Sequence, residues 1–220
     1  MVKLAKWGEE VLSGPLRLGV IPTIGPFLLP RILPQIRQQY PHLQLQITED
    51  QSSRLVESLE LGQLDVAILA FPYPIKRLEF QVAFQERFYI ALPRGHDLEK
   101  QVSIEASLLP KEELLLLKEG HCLSDHALSA CHLEGIRGSV GFQGTSLYTL
   151  VQMVAGGQGI TFIPEMAIGD AVFNGDEIRL KPLDEPGPHR EIGLVWRSTY
   201  FRKGDLIELA SLISTLKDMA

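Results

Sequence analysis

Cysteine is scarce in this chain, with two among 220 residues. That is too few for a disulfide framework, so a disulfide in a reducing compartment would be regulatory or catalytic rather than a staple. Long apolar runs are missing too. Glycine, proline or charge interrupts each of them before about 18 residues, which excludes a membrane-spanning helix. The first ten residues, Met1 to Glu10, lack the apolar core and small-residue cleavage site of a signal peptide. A cytoplasmic protein with no membrane partner is expected. There is no basic excess: 21 Lys and Arg stand against 27 Asp and Glu, a formal net charge of −6. A broad basic surface for nucleic acid is therefore excluded, and any DNA contact has to come from elsewhere.

What is present is an ordinary globular balance, 45% hydrophobic and 22% charged, in a length suited to one large domain or two smaller ones. Residues 1–14, closed by Ser13-Gly14-Pro15, suit the tail of a linker. Leu16 to Ile21 reads as a strand, Pro22 to Pro26 as a turn, and Phe27 to Tyr40 as an apolar-periodic helix. Leu43 to Ile47 alternates as a strand, Ser52 or Ser53 can cap a helix running through Leu61, and Leu64 to Ala70 has the composition of a buried strand. This β-α-β-α-β order implies a parallel sheet with right-handed crossovers.

After Pro72 and Pro74 two strands lie close together, Phe80 to Phe84 and Phe88 to Pro93, with a domain crossing between Gln85 and Arg87. A second α/β unit follows. Leu114 to Leu117 reads as a strand, then comes the cysteine segment, then Val140 to Phe142 as a strand, a helix from Ser146 to about Ala155, and Gly159 to Pro164 as a strand. Ile178 to Leu180 and Glu191 to Trp196 are further strands, and Leu206 to Met219 is an amphipathic helix. The expected fold is α/β, two Rossmann-like lobes joined by two crossovers, with the return near Ile192. Its parts are a linker remnant over 1–14, lobe I over 15–86 plus 192–220, and lobe II over 87–191 carrying the cysteines. Ligands of open α/β sheets bind at the carboxyl ends of the strands, where Thr23, Ser52, the cysteine loop and Thr145-Ser146 are expected to gather.

The segment from Glu119 to His132 holds both cysteines and three of the six histidines. Cys122 and Cys131 are nine positions apart, so their Cα atoms would be about 14 Å apart along a helix. A disulfide needs about 7 Å or less. The pair can close in an extended or looped segment, or after a helix has unwound, but not across an intact helix. That makes it a candidate redox switch. Two other readings stand beside it. Both cysteines can be inert buried residues, and His121, Cys122, His126, Cys131 and His132 resemble metal-ligand material, with Cys122 and His126 at i and i+4 on one helical face. Against a metal, there is no Cys-x-x-Cys, and His132 directly follows Cys131, so the two would point apart on a helix. Thr23, after Pro22, can be a turn residue or a helix cap. Gly156-Gly157-Gln158-Gly159 follows a helix and precedes a strand, the reverse of a dinucleotide loop, and reads as a helix stop.

Gly120-His121-Cys122-Leu123-x-Asp125-x-Ala127-x-x-x-Cys131 resembles the peroxide-sensing branch of the LysR-type transcription regulators. Leu16 to Ile24, Gly62 to Leu69, Thr145-Ser146-Leu147, Met153 to Thr161 and Ile192 to Val195 are similar to the effector domain of that family at large. The resemblance implies a periplasmic-binding-protein-like regulatory domain whose N-terminal winged helix-turn-helix DNA-binding domain has no counterpart here. It also implies a regulator and not an enzyme, without cofactor or metal, that pairs as a homodimer and assembles as a homotetramer at full length. Its partners would be hydrogen peroxide, promoter DNA through the N-terminal domain, RNA polymerase, and a glutaredoxin- or thioredoxin-type reductant. Cys122 would be the peroxide-reactive thiol, placed just before a helix start at Ser124-Asp125. Cys131 would resolve it as a Cys122–Cys131 disulfide. Gly120, His121, Thr23, Ser52, Asp125 and Arg190 would form the peroxide pocket. The alternative within the same family is a domain that binds a small metabolite in the inter-lobe cleft.

Overall fold

A computed structural model of the chain describes residues 11–118, 120, 122–133, 144, 146–170 and 175–217. They fall into two units, Met1–Phe84 with Glu191–Ala220, and Gln85–Arg190. The chain passes between the units one or two residues earlier than the sequence pattern predicts.

In chain order the elements are β1 (Gly14–Val20), α1 (Gly25–Gln39), β2 (Leu43–Glu49), α2 (Ser52–Glu60), β3 (Val66–Phe71), β4 (Leu78–Glu86), β5 (Phe88–Pro93), α3 (Cys122–Ala130), α4 (Leu147–Ala155), β6 (Thr161–Pro164), β7 (Ile178–Pro182), β8 (Arg190–Arg197) and α5 (Lys203–Lys217). The first unit is built on a sheet of order β2-β1-β3-β8-β4. In it β1 runs parallel to both β2 and β3, while β8 returns antiparallel to β3.

Every residue of β3 is buried, as a central strand covered on both faces requires. Gly19 of β1 has no room for a side chain: a Cβ there would lie 2.8 Å from the side chains of Leu55 and Leu64. The α1 helix turns Phe27, Leu28, Ile32 and Ile36 inward, the three-to-four spacing of an amphipathic helix. It starts with proline in its first turn, which lacks only an N–H that has no partner there anyway.

The second unit has a three-stranded antiparallel sheet, β6-β5-β7. Single parallel bridges join Ile104 to Leu183, Leu114 to Ile160 and Leu117 to Gly144. The sequence predicts a strand over Leu114 to Leu117, but only those two bridges form there. The 3-10 turn Lys111–Glu113 ends immediately before it, and the buried leucines bridge at either end of the run without a continuous ladder. The strand predicted at Val140 to Phe142 lies outside the described residues. The helix stop predicted at Gly156-Gly157 ends α4: Gly157 has φ +72°, and the Gly157 and Gln158 N–H groups donate to the Val154 and Met153 carbonyls. Ser52 does not cap α2. Gln51 takes that position with no side-chain cap bond, and Ser52 is the buried first residue of the helix.

Candidate redox site

The cysteine helix α3 begins at Cys122 itself rather than at Ser124-Asp125. Ser124 spends its hydroxyl elsewhere than on a cap. Its Oγ accepts from the Leu117 N–H at 3.0 Å and faces the Leu117 carbonyl at 3.5 Å. Leu117 is bridged to Gly144, and the Lys118 N–H donates to the Gly144 carbonyl at 2.8 Å. The first turn of the helix is thereby tied to the backbone of the unit. Cys122, Leu123, Ser124, His126, Ala127 and Leu128 are buried, while Asp125 and Ser129 face water. Sequence reading placed Ser124 only at the helix start. A hydroxyl flanked by Leu123 and Ala127 on the apolar face was the available signal that it anchors the helix.

Both cysteines are buried thiols outside any disulfide. Cys122 occupies the first turn, where the positive end of the helix dipole favours an anionic sulfur. Cys131 sits at the other end, its N–H donating to the Ala127 carbonyl at 3.1 Å. Nine residues of helical rise separate the two Cα atoms by about 14 Å, beyond the reach of a disulfide. Burial, with a smaller contribution from the negative charge of Glu185, pushes the Cys131 thiol up to about 12. It is held as a neutral thiol at any physiological pH.

Gly120 precedes the helix with φ +97°, a backbone region that favours glycine. His121 and Thr145 lie outside the described residues. Asp125 is exposed in the first helical turn, where a carboxylate complements the helix dipole.

Arg190 is placed in the same unit as the cysteines, and its side chain is wholly buried. Its Nε donates to Glu86 Oε1 at 2.6 Å, and its guanidinium lies 5.3 Å from the centre of the Phe88 ring. Glu86 Oε2 also accepts from the Met166 N–H at 3.1 Å. His189 accepts the Phe88 N–H on Nδ1 at 2.7 Å. Sequence reasoning missed Glu86 and His189: Glu86 and Arg190 are 104 positions apart, and no local pattern announces such a pair.

Thr23 and Ser52 belong to the first unit. Each is 2% exposed. Thr23 lies just past the carboxyl end of β1 in the turn where the Ile24 and Gly25 N–H groups donate to the Ile21 carbonyl. Ser52 follows β2, the strand paired beside β1. The helix cap of α1 is Ile24, which makes no side-chain cap bond, so Thr23 is a turn residue. Among the described residues no group of three or more His, Cys, Asp or Glu could hold a metal ion. No helix among them is long and apolar enough to cross a membrane.

A two-sheet α/β chain with a cysteine at each end of one buried helix fits the effector domain of a transcription regulator. The chain belongs to the LysR substrate binding domain family, which it matches over residues 9–210. Among its relatives is the probable hydrogen peroxide-inducible genes activator of Mycobacterium avium, 41% identical over 213 residues that make up 96% of this chain and 68% of that protein. The chain thus spans about two thirds of the length of that relative. The reduced regulatory domain of OxyR2 from Vibrio vulnificus is 41% identical and superposes with a TM-score of 0.85, covering 94% of this chain and 97% of that one. A hydrogen-peroxide-bound mutant of OxyR from Corynebacterium glutamicum gives a TM-score of 0.89 at 30% identity, over 98% of this chain and 68% of that one.

Proposed function

We propose that this chain is the regulatory domain of a DNA-binding transcription regulator that senses hydrogen peroxide through Cys122 and records it as a Cys122–Cys131 disulfide. One observation carries the assignment of roles. The two thiols sit at opposite ends of one helix, and the one at its C-terminal end is held protonated, with its thiol pushed to about 12. Only Cys122 is available as a nucleophile while the helix stands.

The Cys122 thiolate attacks one peroxide oxygen and the O–O bond breaks. The sulfur is oxidised to a sulfenic acid, and the second oxygen leaves as hydroxide, which takes a proton to become water. After the helix opens, Cys131 is freed from the environment that raised its pKa. Its thiolate attacks the sulfenic sulfur, the S–S bond forms, and hydroxide leaves and is protonated. The resemblance to the family is what supports Thr23, Ser52 and His121 as hydrogen-bond donors in peroxide sensing, with Arg190 as a positive charge, Gly120 as a turn and Asp125 as a first-turn carboxylate. The refolded segment biases a dimer or tetramer arrangement and so promoter binding through an N-terminal DNA-binding domain, with RNA polymerase downstream. A glutaredoxin- or thioredoxin-type reductant resets the disulfide. Each oxidation is a single recorded event, not an enzymatic turnover.

The test is stoichiometric peroxide followed by mass spectrometry. The expected outcome is an intramolecular Cys122–Cys131 disulfide within seconds, no oxidation in Cys122→Ser, and a trappable sulfenic acid in Cys131→Ser. A slow, unselective reaction would reject the sensor in favour of a metabolite-binding domain. A normal disulfide yield without Cys122 would reverse the assigned roles.

A further inference from the structure

Three helices of the chain close with the same pair of backbone bonds, and they differ in one residue. In this closure the residue after the C-cap adopts the left-handed conformation, its N–H and the next one bonding back to the last turn. At the end of α2 the left-handed residue is Gly62, φ +73°, with Gly62 N–H to the Leu59 carbonyl at 3.0 Å and Gln63 N–H to the Ser58 carbonyl at 2.8 Å. At the end of α4 it is Gly157, φ +72°, with bonds of 2.9 and 3.0 Å to Val154 and Met153. At the end of the cysteine helix α3 it is His132, φ +52°, with His132 N–H to the Ser129 carbonyl at 3.1 Å and Leu133 N–H to the Leu128 carbonyl at 2.7 Å. Cys131 is the C-cap of that helix.

Glycine takes the left-handed conformation without penalty, and a residue with a Cβ does not. His132 is exposed, so burial of its side chain offers nothing against that strain. Leu128 and Leu133, the positions between which an apolar contact usually accompanies the closure, are both buried. The other end of the helix is held differently, by the buried Ser124 hydroxyl on the Leu117 backbone. One end is anchored and the other is closed under strain.

We propose that His132 is a positioning residue for the second oxidation step: its left-handed backbone sets how readily the closure at Cys131 opens, while Ser124 keeps the Cys122 end in place, so that the resolving cysteine is the one released. This rests on the peroxide-sensing reading above. Unwinding from the Cys131 end frees that thiol to reach the sulfenic sulfur, and the sulfur oxidation, S–S formation and loss of hydroxide are those already written. A glycine at 132 relaxes the closed helix and holds Cys131 back. A β-branched residue there does the reverse, because it tolerates the left-handed region worst.

The experiment compares the wild type with His132→Gly, His132→Asn and His132→Val under rapid-quench peroxide oxidation. It follows the sulfenic acid by dimedone trapping and the disulfide by mass spectrometry. The expected result is an unchanged rate of sulfenic acid formation at Cys122, and disulfide formation slowed about five-fold by glycine, less by asparagine, and accelerated by valine. The glycine and asparagine forms are favourable at this position and keep the test informative if the valine form does not fold. A disulfide step insensitive to glycine, or a change confined to the first step, overturns the proposal. If peroxide produces no sulfenic acid at Cys122 in any form, the sensor reading fails instead. Diamide-driven closure of the same disulfide then decides the role of His132 by the same order of rates.

Discussion

Each unit contains an arginine–carboxylate pair, and the two pairs are held in different ways. In the first unit Arg17 of β1 grips Asp65 with Nε at 3.0 Å, Nη2 at 2.7 Å and its own backbone N–H at 2.9 Å. The Arg17 side chain is 39% exposed and that of Asp65 13%. In the second unit the Glu86 and Arg190 side chains are 0% exposed, covered by Phe88 and joined to the Met166 backbone. Water can take the place of a partner in the first pair. It cannot in the second, where a lost partner leaves a bare buried charge. The first pair is thus shared with solvent, whereas the second requires polar groups that match one another inside the unit.

The largest test of that contrast removes one carboxylate from each pair. Glu86→Ala should cost about 3–5 kcal/mol because it strands a buried guanidinium. Asp65→Ala, whose partner reaches water, should cost about 1 kcal/mol. Urea unfolding monitored by circular dichroism reads both. Equal losses would erase the distinction between the two units. Replacing Glu86 and Arg190 together by leucine and methionine should recover much of the loss, since a well-packed apolar pair avoids the desolvation of two charges.

A smaller effect separates two serines in the first turns of helices, Ser124 of α3 and Ser53 of α2. Ser124→Ala removes the acceptor of the buried Leu117 N–H and should destabilise by about 1–3 kcal/mol. Ser53→Ala on the exposed side of α2 should stay within about 0.5 kcal/mol. Faster hydrogen exchange at the Leu117 amide in the first variant, with none in the second, would place the loss at the helix anchor. Similar stability for both variants would mean that Ser124 anchors nothing.

These serines also show where sequence reading stops. Periodicity located the helices and strands of the first unit to within a few residues, because a parallel sheet with helical crossovers imposes long, regular apolar patterns. The β3 strand starts at Val66, not Leu64. Leu64 is engaged before it, its N–H donating to the Ser58 carbonyl and its own carbonyl accepting from Arg197 Nη1 at 2.6 Å. In the second unit the strands are short and the bridges single, so four consecutive leucines look like a ladder that is not there. The cysteines and their spacing were legible. Glu86, 104 positions from its partner, was not, since tertiary pairing leaves no local mark. Nor was the left-handed His132: a residue with a Cβ is uncommon in that conformation, and nothing in the sequence around it asks for one.

The finest difference between the units is the order in which acid reaches them. Burial lowers the His189 pKa below its ordinary 6.5, reinforced by Arg87; the Glu185 carbonyl and the charges of Glu185 and Glu165 oppose this without reversing it. A base whose pKa is depressed by folding contributes stability that is complete above its unfolded value and is lost as pH falls through the folded one. Protonation would also remove the Nδ1 lone pair that accepts the Phe88 N–H. Asp65 behaves alike at a lower pH. Burial alone would raise it, but the hydrogen bonds from the Arg17 side chain and backbone outweigh that and hold it below 3.8. Its contribution is complete above that value and disappears only beneath it. Acidification should therefore loosen the second unit first, at pH values below 6.5, while the first unit keeps its pair until below 3.8. Residue-resolved hydrogen exchange separates the two: the Phe88 amide should lose protection before the Arg17 amide, and His189→Gln should remove the earlier step alone. Simultaneous loss at both amides would show that the units respond to acid as one, and that the buried histidine does not set the weaker end.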